Sequence, residues 1–193
     1  MALIRTTHIL WILVLLSLAP GPVAATSVRV EGSEFSRSVT LDGSRLFLKG
    51  TSLQRYLLVV KGYAGAFYLP ADTPANQALG PVPKYLVLEY KVSISAADFA
   101  EATTRMIQQA VDAKTFASLE DRLNALNALY ADVKPNDRYS LYYHPNRGTQ
   151  LALNGKVAGT LPGLDFAKSL FGVWLGEKPI DPDFRDRLLG VKP

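Results

Sequence analysis

Few side chains in this sequence have the types and spacing that common enzyme chemistry requires. The chain contains no cysteine, which excludes thiol nucleophiles, thiolate metal sites and disulfides. It has two histidines, His8 and His144, and His8 lies in a segment that we expect to be removed. One histidine is too few for a histidine-based catalytic zinc site or a two-histidine iron site, so we expect no metal and no cofactor. A Ser-His-Asp arrangement would need His144, but Pro145 follows it, and a residue before proline is usually extended. A histidine at the end of a strand is the simpler interpretation.

Arg55 and Tyr63 are the polar residues that offer binding or catalytic chemistry. An arginine can hold a carboxylate through two parallel charge-assisted hydrogen bonds, or it can stabilise an oxyanion. Tyr63 precedes the small residues Ala64, Gly65 and Ala66, which let a partner approach the backbone of a strand closely. The residues alone also allow simpler interpretations, because most arginines are solvated and a tyrosine is more often a packed aromatic than a ligand donor.

Residues 1–25 have the order of a secretory signal peptide. The charge of Arg5 precedes an apolar run over residues 9–19, and small residues follow up to Ala25. An uncleaved membrane anchor is the alternative, but the 11 residues of this run are fewer than the roughly 20 that span a bilayer. We therefore expect cleavage before Thr26, no stable membrane span afterwards, and a periplasmic or secreted location.

The remainder, residues 26–193, is long enough for one domain with a real core and too short for two. The formal net charge of the chain is +4, and its charged residues occur singly rather than in a basic stripe. Without such a stripe there is no surface that would neutralise a phosphate backbone, so nucleic acid is not an expected partner.

The order of the predicted elements indicates an α+β fold. Apolar and polar residues alternate in short segments up to residue 92 and again over 138–161, which predicts strands. Within the last of these, Asn154-Gly155 is typical of a tight hairpin turn. Over residues 85–92 the more apolar face, which carries Leu86, Leu88 and Tyr90, is expected to be buried.

Helices are predicted between and after the strands. Ser95 and Asp98 have the spacing of a capping box, which predicts a helix start. A leucine seam over residues 119–129 predicts a second helix, and in a domain of this size such a seam is more often core than a partner interface. Two more helices are predicted over 165–175 and 183–189. Strands followed by helices in this order predict an antiparallel sheet with helices layered on one face.

Two separated segments resemble the chalcone isomerase-like superfamily. The first joins Phe47-Leu48-Lys49-Gly50 and Arg55 to the run from Lys61 to Pro70, and it resembles the β-hairpin of that family. The second runs from Leu151 to Gly159 and on to Gly176, and it is similar to the bacterial secreted branch. The resemblance covers residues 28–190 in element order. It implies an open-faced β-sandwich with a cleft between a large curved sheet and a helical layer, where plant members close a flavonoid ring and plastid relatives bind fatty acids.

The resemblance also implies which positions carry function. Arg55 falls where the enzymes have an arginine that supports the developing oxyanion, although one extra residue within 51–54 also allows a match shifted by one position. Tyr63 stands where the enzymes have a catalytic threonine. Phe99 stands where they have a catalytic tyrosine, and it lacks the hydroxyl. Ser169 matches a serine or threonine of the late helix.

These residues favour a binding protein for a small apolar molecule with an acidic or carbonyl head group, such as a fatty acid or a phenolic acid. We expect Tyr63, Phe67 and Phe99 to line the cleft, with Ser169 near them and Arg55 at the head group. One alternative is an isomerase or intramolecular lyase of the chalcone isomerase type, for which Arg55 is the candidate catalytic residue because it would polarise a carbonyl. Another is a structural or interaction protein of the cell envelope, in which the cleft is filled by the protein's own side chains.

Overall fold

A seven-stranded antiparallel sheet organises the computed structural model, which describes residues 26–56 and 60–192. Every strand of this sheet pairs with its neighbour in sequence, from β3 at one edge to β9 at the other, while β1 and β2 form a separate hairpin. The strands are β1 (Ser27–Val30), β2 (Ser33–Ser36), β3 (Ser38–Leu41), β4 (Ser44–Tyr56), β5 (Val60–Leu69), β6 (Lys84–Tyr90), β7 (Arg138–His144), β8 (Gly148–Leu153) and β9 (Lys156–Leu161).

Four helices cover one face of the sheet. Helices α1 (Ala96–Ala110) and α2 (Ala113–Asn127) lie between β6 and β7, and α3 (Leu164–Leu175) and α4 (Pro182–Leu188) follow β9. The predicted capping box at the start of α1 is confirmed, because the Ser95 hydroxyl accepts the backbone N–H of Asp98 and the Asp98 carboxylate accepts the backbone N–H of Ser95. The leucine seam faces the core, as expected, because Leu119, Leu123 and Leu126 of α2 are buried and Leu129, after its end, packs against the core.

The sheet buries both of its faces, because successive side chains of a strand point to opposite sides. On β5, Tyr63 and Phe67 face the helical layer, whereas Ala64 and Tyr68 face the β1–β2 hairpin. Gly65 admits the close approach of α4, since a Cβ atom at this position would lie 2.7 Å from the ring of Phe184. The partner of this small-residue segment is therefore a helix of the protein itself.

The predicted fold class is confirmed: the protein is an α+β open-faced sandwich, with a helical layer over one face of a large antiparallel sheet. The β2 strand and its pairing with β1 were not predicted. The signal peptide predicted for residues 1–25, and most of the apolar run at 57–60, lie outside the described residues. Within the described part of the chain, none of the helices has the length and apolar character needed to cross a membrane.

Candidate functional site

An apolar cavity of about 500 Å³ lies between the sheet and helix α1. This volume falls within the roughly 300–1,000 Å³ typical of small-molecule sites. Its lining is mostly aliphatic and aromatic, with a few polar atoms, which is also typical of such sites. The lining residues are Tyr63, Leu86, Leu88, Tyr90, Ile94, Asp98, Phe99, Glu101, Ala102, Thr103, Arg105, Met106, Tyr130, Tyr139, Leu141, Leu151, Trp174 and Ile180.

Two periodicities of the sequence bring these side chains together. The sheet contributes alternate residues of neighbouring strands, such as Leu86 and Leu88 of β6, because these share one face. Helix α1 contributes Phe99, Ala102 and Met106, which recur at steps of three and four and so share one side of the helix. Since Ala102 is small, it leaves space between this helix and the sheet.

Five aromatic rings form a connected wall of the cavity, which we call the aromatic wall: Tyr63, Tyr90, Phe99, Tyr130 and Tyr139. Phe99 is at its centre, with ring centroids 5.2 Å from Tyr90, 5.3 Å from Tyr130 and 5.3 Å from Tyr139. Tyr63 meets Tyr90 edge-on at 5.6 Å. Such ring pairs each contribute about 0.5–1.5 kcal/mol beyond burial, so the rings hold one another in a defined shape.

Uncharged polar groups of the lining form three hydrogen-bonded sets. The indole N–H of Trp174 donates to the hydroxyl oxygen of Tyr63 at 3.0 Å. The hydroxyl of Tyr139 accepts the backbone N–H of Ala131 at 2.7 Å and donates to the carbonyl of the same residue at 3.0 Å. The hydroxyl oxygens of Thr103 and Tyr130 lie 3.0 Å apart and share one hydrogen bond.

The charged lining residues are Asp98, Glu101 and Arg105, all on α1. Arg105 pairs with Glu101 at 3.2 Å, and both side chains are more than half exposed. These charges therefore lie at the rim. Inside, burial raises the pKa of Tyr130 to about 12 and also raises the pKa of Tyr139. Both phenols keep their protons at neutral pH and act as uncharged donors. Among the described residues, no group of three or more histidine, aspartate or glutamate side chains is placed to hold a metal ion.

The structure brings only two of the five predicted site residues, Tyr63 and Phe99, to the cavity. Phe67 is fully buried in the core and does not line it. Ser169 lies on α3, donates to the backbone carbonyl of Asp165 at 3.1 Å, and is also outside the lining. The binding roles of Tyr63 and Phe99 remain predictions.

Arg55 has the opposite orientation from the one expected. Its guanidinium pairs with Glu31 of the turn between β1 and β2, at 3.1 Å, and its side chain is 42% exposed. Lys61 binds the same carboxylate at 2.6 Å. The neighbouring residue, Gln54, is buried on the helical side, where its amide lies 3.4 Å from Asp181. Because side chains alternate along a strand, Arg55 points to the other face, and the expectation that it faces the cleft is wrong.

The residues that sequence reasoning missed come from several distant segments. Tyr90 was expected to be buried, but not in a binding site. Tyr130 follows the leucine seam by one residue, and Tyr139 lies on a predicted strand, yet neither position carries a local signal of function. These three tyrosines contact Phe99 only because β6, β7 and the helical layer pack together.

Comparisons with known proteins give two findings. The family model described as chalcone isomerase-like matches residues 27–190. Among solved structures, the chain is similar to a fatty-acid binding protein of Arabidopsis thaliana, with a TM-score of 0.70, 17% sequence identity, and coverage of 86% of this chain and 96% of that chain. At this identity the likeness shows a shared fold. Comparison with curated proteins gives no match.

Proposed function

Because this chain belongs to the chalcone isomerase-like family, we propose that it is a non-catalytic binding protein for a small apolar molecule with an acidic or carbonyl head group, such as a fatty acid. The observation that carries this proposal is the apolar cavity of about 500 Å³ beneath α1. The fatty-acid binding protein that shares the fold supports it. The N-terminal sequence pattern supports a periplasmic or secreted location, and the resemblance of the segment from Leu151 to Gly176 supports the bacterial secreted branch of the family.

The lining accounts for the affinity expected of an apolar chain. Burying one methylene group gains about 0.8 kcal/mol, so eight methylenes against Leu88, Met106 and Leu141 would gain roughly 6 kcal/mol. Association itself costs at least about 4 kcal/mol in lost translational and rotational freedom, which offsets part of this gain. This leaves a gain of about 2 kcal/mol, to which contacts with the aromatic wall and the head group add. We therefore expect affinity to increase with the length of the apolar chain.

An acidic head group fits best at the rim of the cavity. Arg105 is the cation among the lining residues, and its present partner, Glu101, is an exposed side chain one helical turn away. Such exposed pairs contribute only about 0.3–0.5 kcal/mol, so a ligand carboxylate can replace Glu101 at little cost. In this arrangement the carboxylate stays hydrated at the rim and the apolar chain extends inward.

The family resemblance matches Arg55 and Phe99 to catalytic positions of the enzymes, and where these residues lie favours ligand binding over ring closure. Arg55 points away from the cavity and Phe99 has no hydroxyl, so the oxyanion support expected of the enzymes is not assembled there. The described side chains also leave the cavity unfilled, which does not favour a purely structural role based on a self-filled cleft.

Ligand binding can be tested by native mass spectrometry of the purified protein and by titration with decanoate. The variant Ala102→Trp places a large side chain in the cavity, and we expect it to weaken decanoate binding at least tenfold. Ala117→Trp, at an exposed position of α2, is the matched control and should bind normally. Thermal melts of both variants check folding. Absence of decanoate binding to the wild-type protein, or equal binding by Ala102→Trp, would refute the proposal.

A further inference from the structure

Resting on the proposed function, we further propose that Thr103 and Tyr130 form a polar subsite inside the cavity, which binds an uncharged oxygen acceptor of the ligand. A ketone, aldehyde or ester carbonyl has the required chemistry. Both residues line the cavity, Thr103 on α1 and Tyr130 after the end of α2. Their hydroxyl oxygens lie 3.0 Å apart.

A count of hydroxyl hydrogens supports this subsite. Two hydroxyl groups carry two hydrogens, and the bond between Thr103 and Tyr130 uses one of them. In the described part of the chain, neither hydroxyl has another hydrogen-bond partner. Thr103 is 5% exposed and Tyr130 is partly buried, and both line the cavity. The pair therefore keeps one hydroxyl hydrogen that no described protein atom accepts, and a ligand oxygen in the cavity can accept it.

Two neighbouring donors already have acceptors within the protein. The N–H of Trp174 is donated to Tyr63. The hydroxyl of Tyr139 donates to the carbonyl of Ala131, a bond that a ligand would have to break. An acceptor entering the cavity thus gains more at the Thr103–Tyr130 pair than at Trp174 or Tyr139, because no existing bond is lost there.

The charge of the surroundings determines which acceptors fit. The lining cation, Arg105, is 58% exposed at the rim and cannot compensate an anion deep in the cavity. Burial raises the pKa of Tyr130 to about 12, so the pair offers a neutral donor. A carboxylate buried here would lose its hydration without gaining a counter-charge, whereas a carbonyl oxygen loses far less. The subsite accordingly favours neutral carbonyl compounds over ionised acids.

The aromatic wall holds this donor in place. Phe99 stacks on the Tyr130 ring with an interplanar angle of 26° and a centroid distance of 5.3 Å. The Tyr139 ring meets Tyr130 nearly at right angles, with centroids 5.7 Å apart. The phenol therefore needs little reordering when a ligand arrives, which reduces the entropic cost of binding.

The test compares three matched probes: 2-decanone, decane and decanoate at pH 8, each measured by displacement of the neutral dye N-phenyl-1-naphthylamine. A single substitution leaves the other hydroxyl with its hydrogen, so Tyr130→Phe and Thr103→Val should each have a small effect. The double variant removes both donors. We expect it to bind 2-decanone about 5- to 10-fold more weakly and decane as the wild-type protein does. Tyr85→Phe, on the opposite face of the sheet, is the control.

Two outcomes distinguish this inference from the proposed function. If the wild-type protein binds none of the probes, the proposed function fails. If it binds them and the double variant retains full affinity for 2-decanone, the subsite inference fails alone. Infrared spectroscopy of 2-decanone bound to the wild-type protein gives a readout that needs no variant. A carbonyl stretch lowered by hydrogen bonding supports the subsite, and the frequency found in a hydrocarbon solvent overturns it.

Discussion

Lys84 is a fully buried cation, and its replacement by methionine is expected to stabilise the protein. Its ammonium donates to the carbonyl of Gly80 at 2.6 Å and lies 4.4 Å from the centre of the Tyr143 ring. Among the described residues it has no carboxylate partner. Burial, with a smaller contribution from the charge of Lys168, lowers the pKa of Lys84 from 10.5 to about 8.

The magnitude of the effect follows from this difference in pKa. Each pH unit between the two values corresponds to about 1.4 kcal/mol, so keeping Lys84 charged in the folded state costs roughly 3 kcal/mol below pH 8. Between about pH 8 and 10.5 the unfolded chain binds more protons than the folded one, so the free energy of unfolding rises with pH. About 2 kcal/mol of the cost is recovered between pH 7 and pH 9.5.

Methionine has a similar length and removes the charge, but it also removes the charge-assisted hydrogen bond to Gly80, worth about 1.5–3 kcal/mol. We therefore expect Lys84→Met to raise the free energy of unfolding by up to about 1.5 kcal/mol at pH 7, and to lose this advantage at pH 9.5. Urea unfolding at both pH values measures this, with Lys156→Met at an exposed strand position as control. A variant that is less stable at pH 7, or a difference that does not change with pH, would refute the reasoning.

Three further predictions concern the site and the location of the protein. Arg55→Gln should change decanoate affinity less than twofold and the free energy of unfolding by less than about 1 kcal/mol, because its pair with Glu31 is exposed; a tenfold loss of affinity in the same titration would place Arg55 in the site after all. The purified protein should not cyclise chalcones in an absorbance assay, since Phe99 lacks a hydroxyl and the loss of one oxyanion donor costs about 100- to 1,000-fold in rate; turnover that Arg55→Gln abolishes would contradict this. N-terminal sequencing of protein from the periplasmic fraction should show a chain that begins at Thr26, whereas full-length protein in the inner membrane would rule out cleavage of the signal peptide.

Sequence patterns were sufficient to predict most helices and strands of this fold, because local interactions produce these elements. The capping box of Ser95 and Asp98 and the leucines of α2 depend only on residues within a few positions of one another. The alternation along β6 likewise identifies Leu86, Leu88 and Tyr90 as one buried face. Together with the family resemblance, these patterns led to the correct fold class.

The β1–β2 hairpin shows where local patterns are insufficient. Its strands have four residues each, and its packing against the sheet depends on distant contacts, such as that of Phe35 with Tyr68 and Val87. The hairpin also supplies Glu31, which holds Arg55 on the outer face. Since the side chains of a strand alternate with a period of two, a shift of one residue is enough to move an arginine from one face to the other.

The sequence by itself determined the helices, the strands other than β2, the fold class and the absence of cysteine chemistry. Only the tertiary structure decided which residues surround the cavity. Phe99 lies 31 positions before Tyr130 and 40 before Tyr139. The three ring centroids lie within 6 Å of one another because α1, the segment after α2 and β7 pack against the same core. The pairing of Thr103 with Tyr130 has the same origin. Such contacts depend on the packing of whole elements, and no pattern of neighbouring residues encodes them.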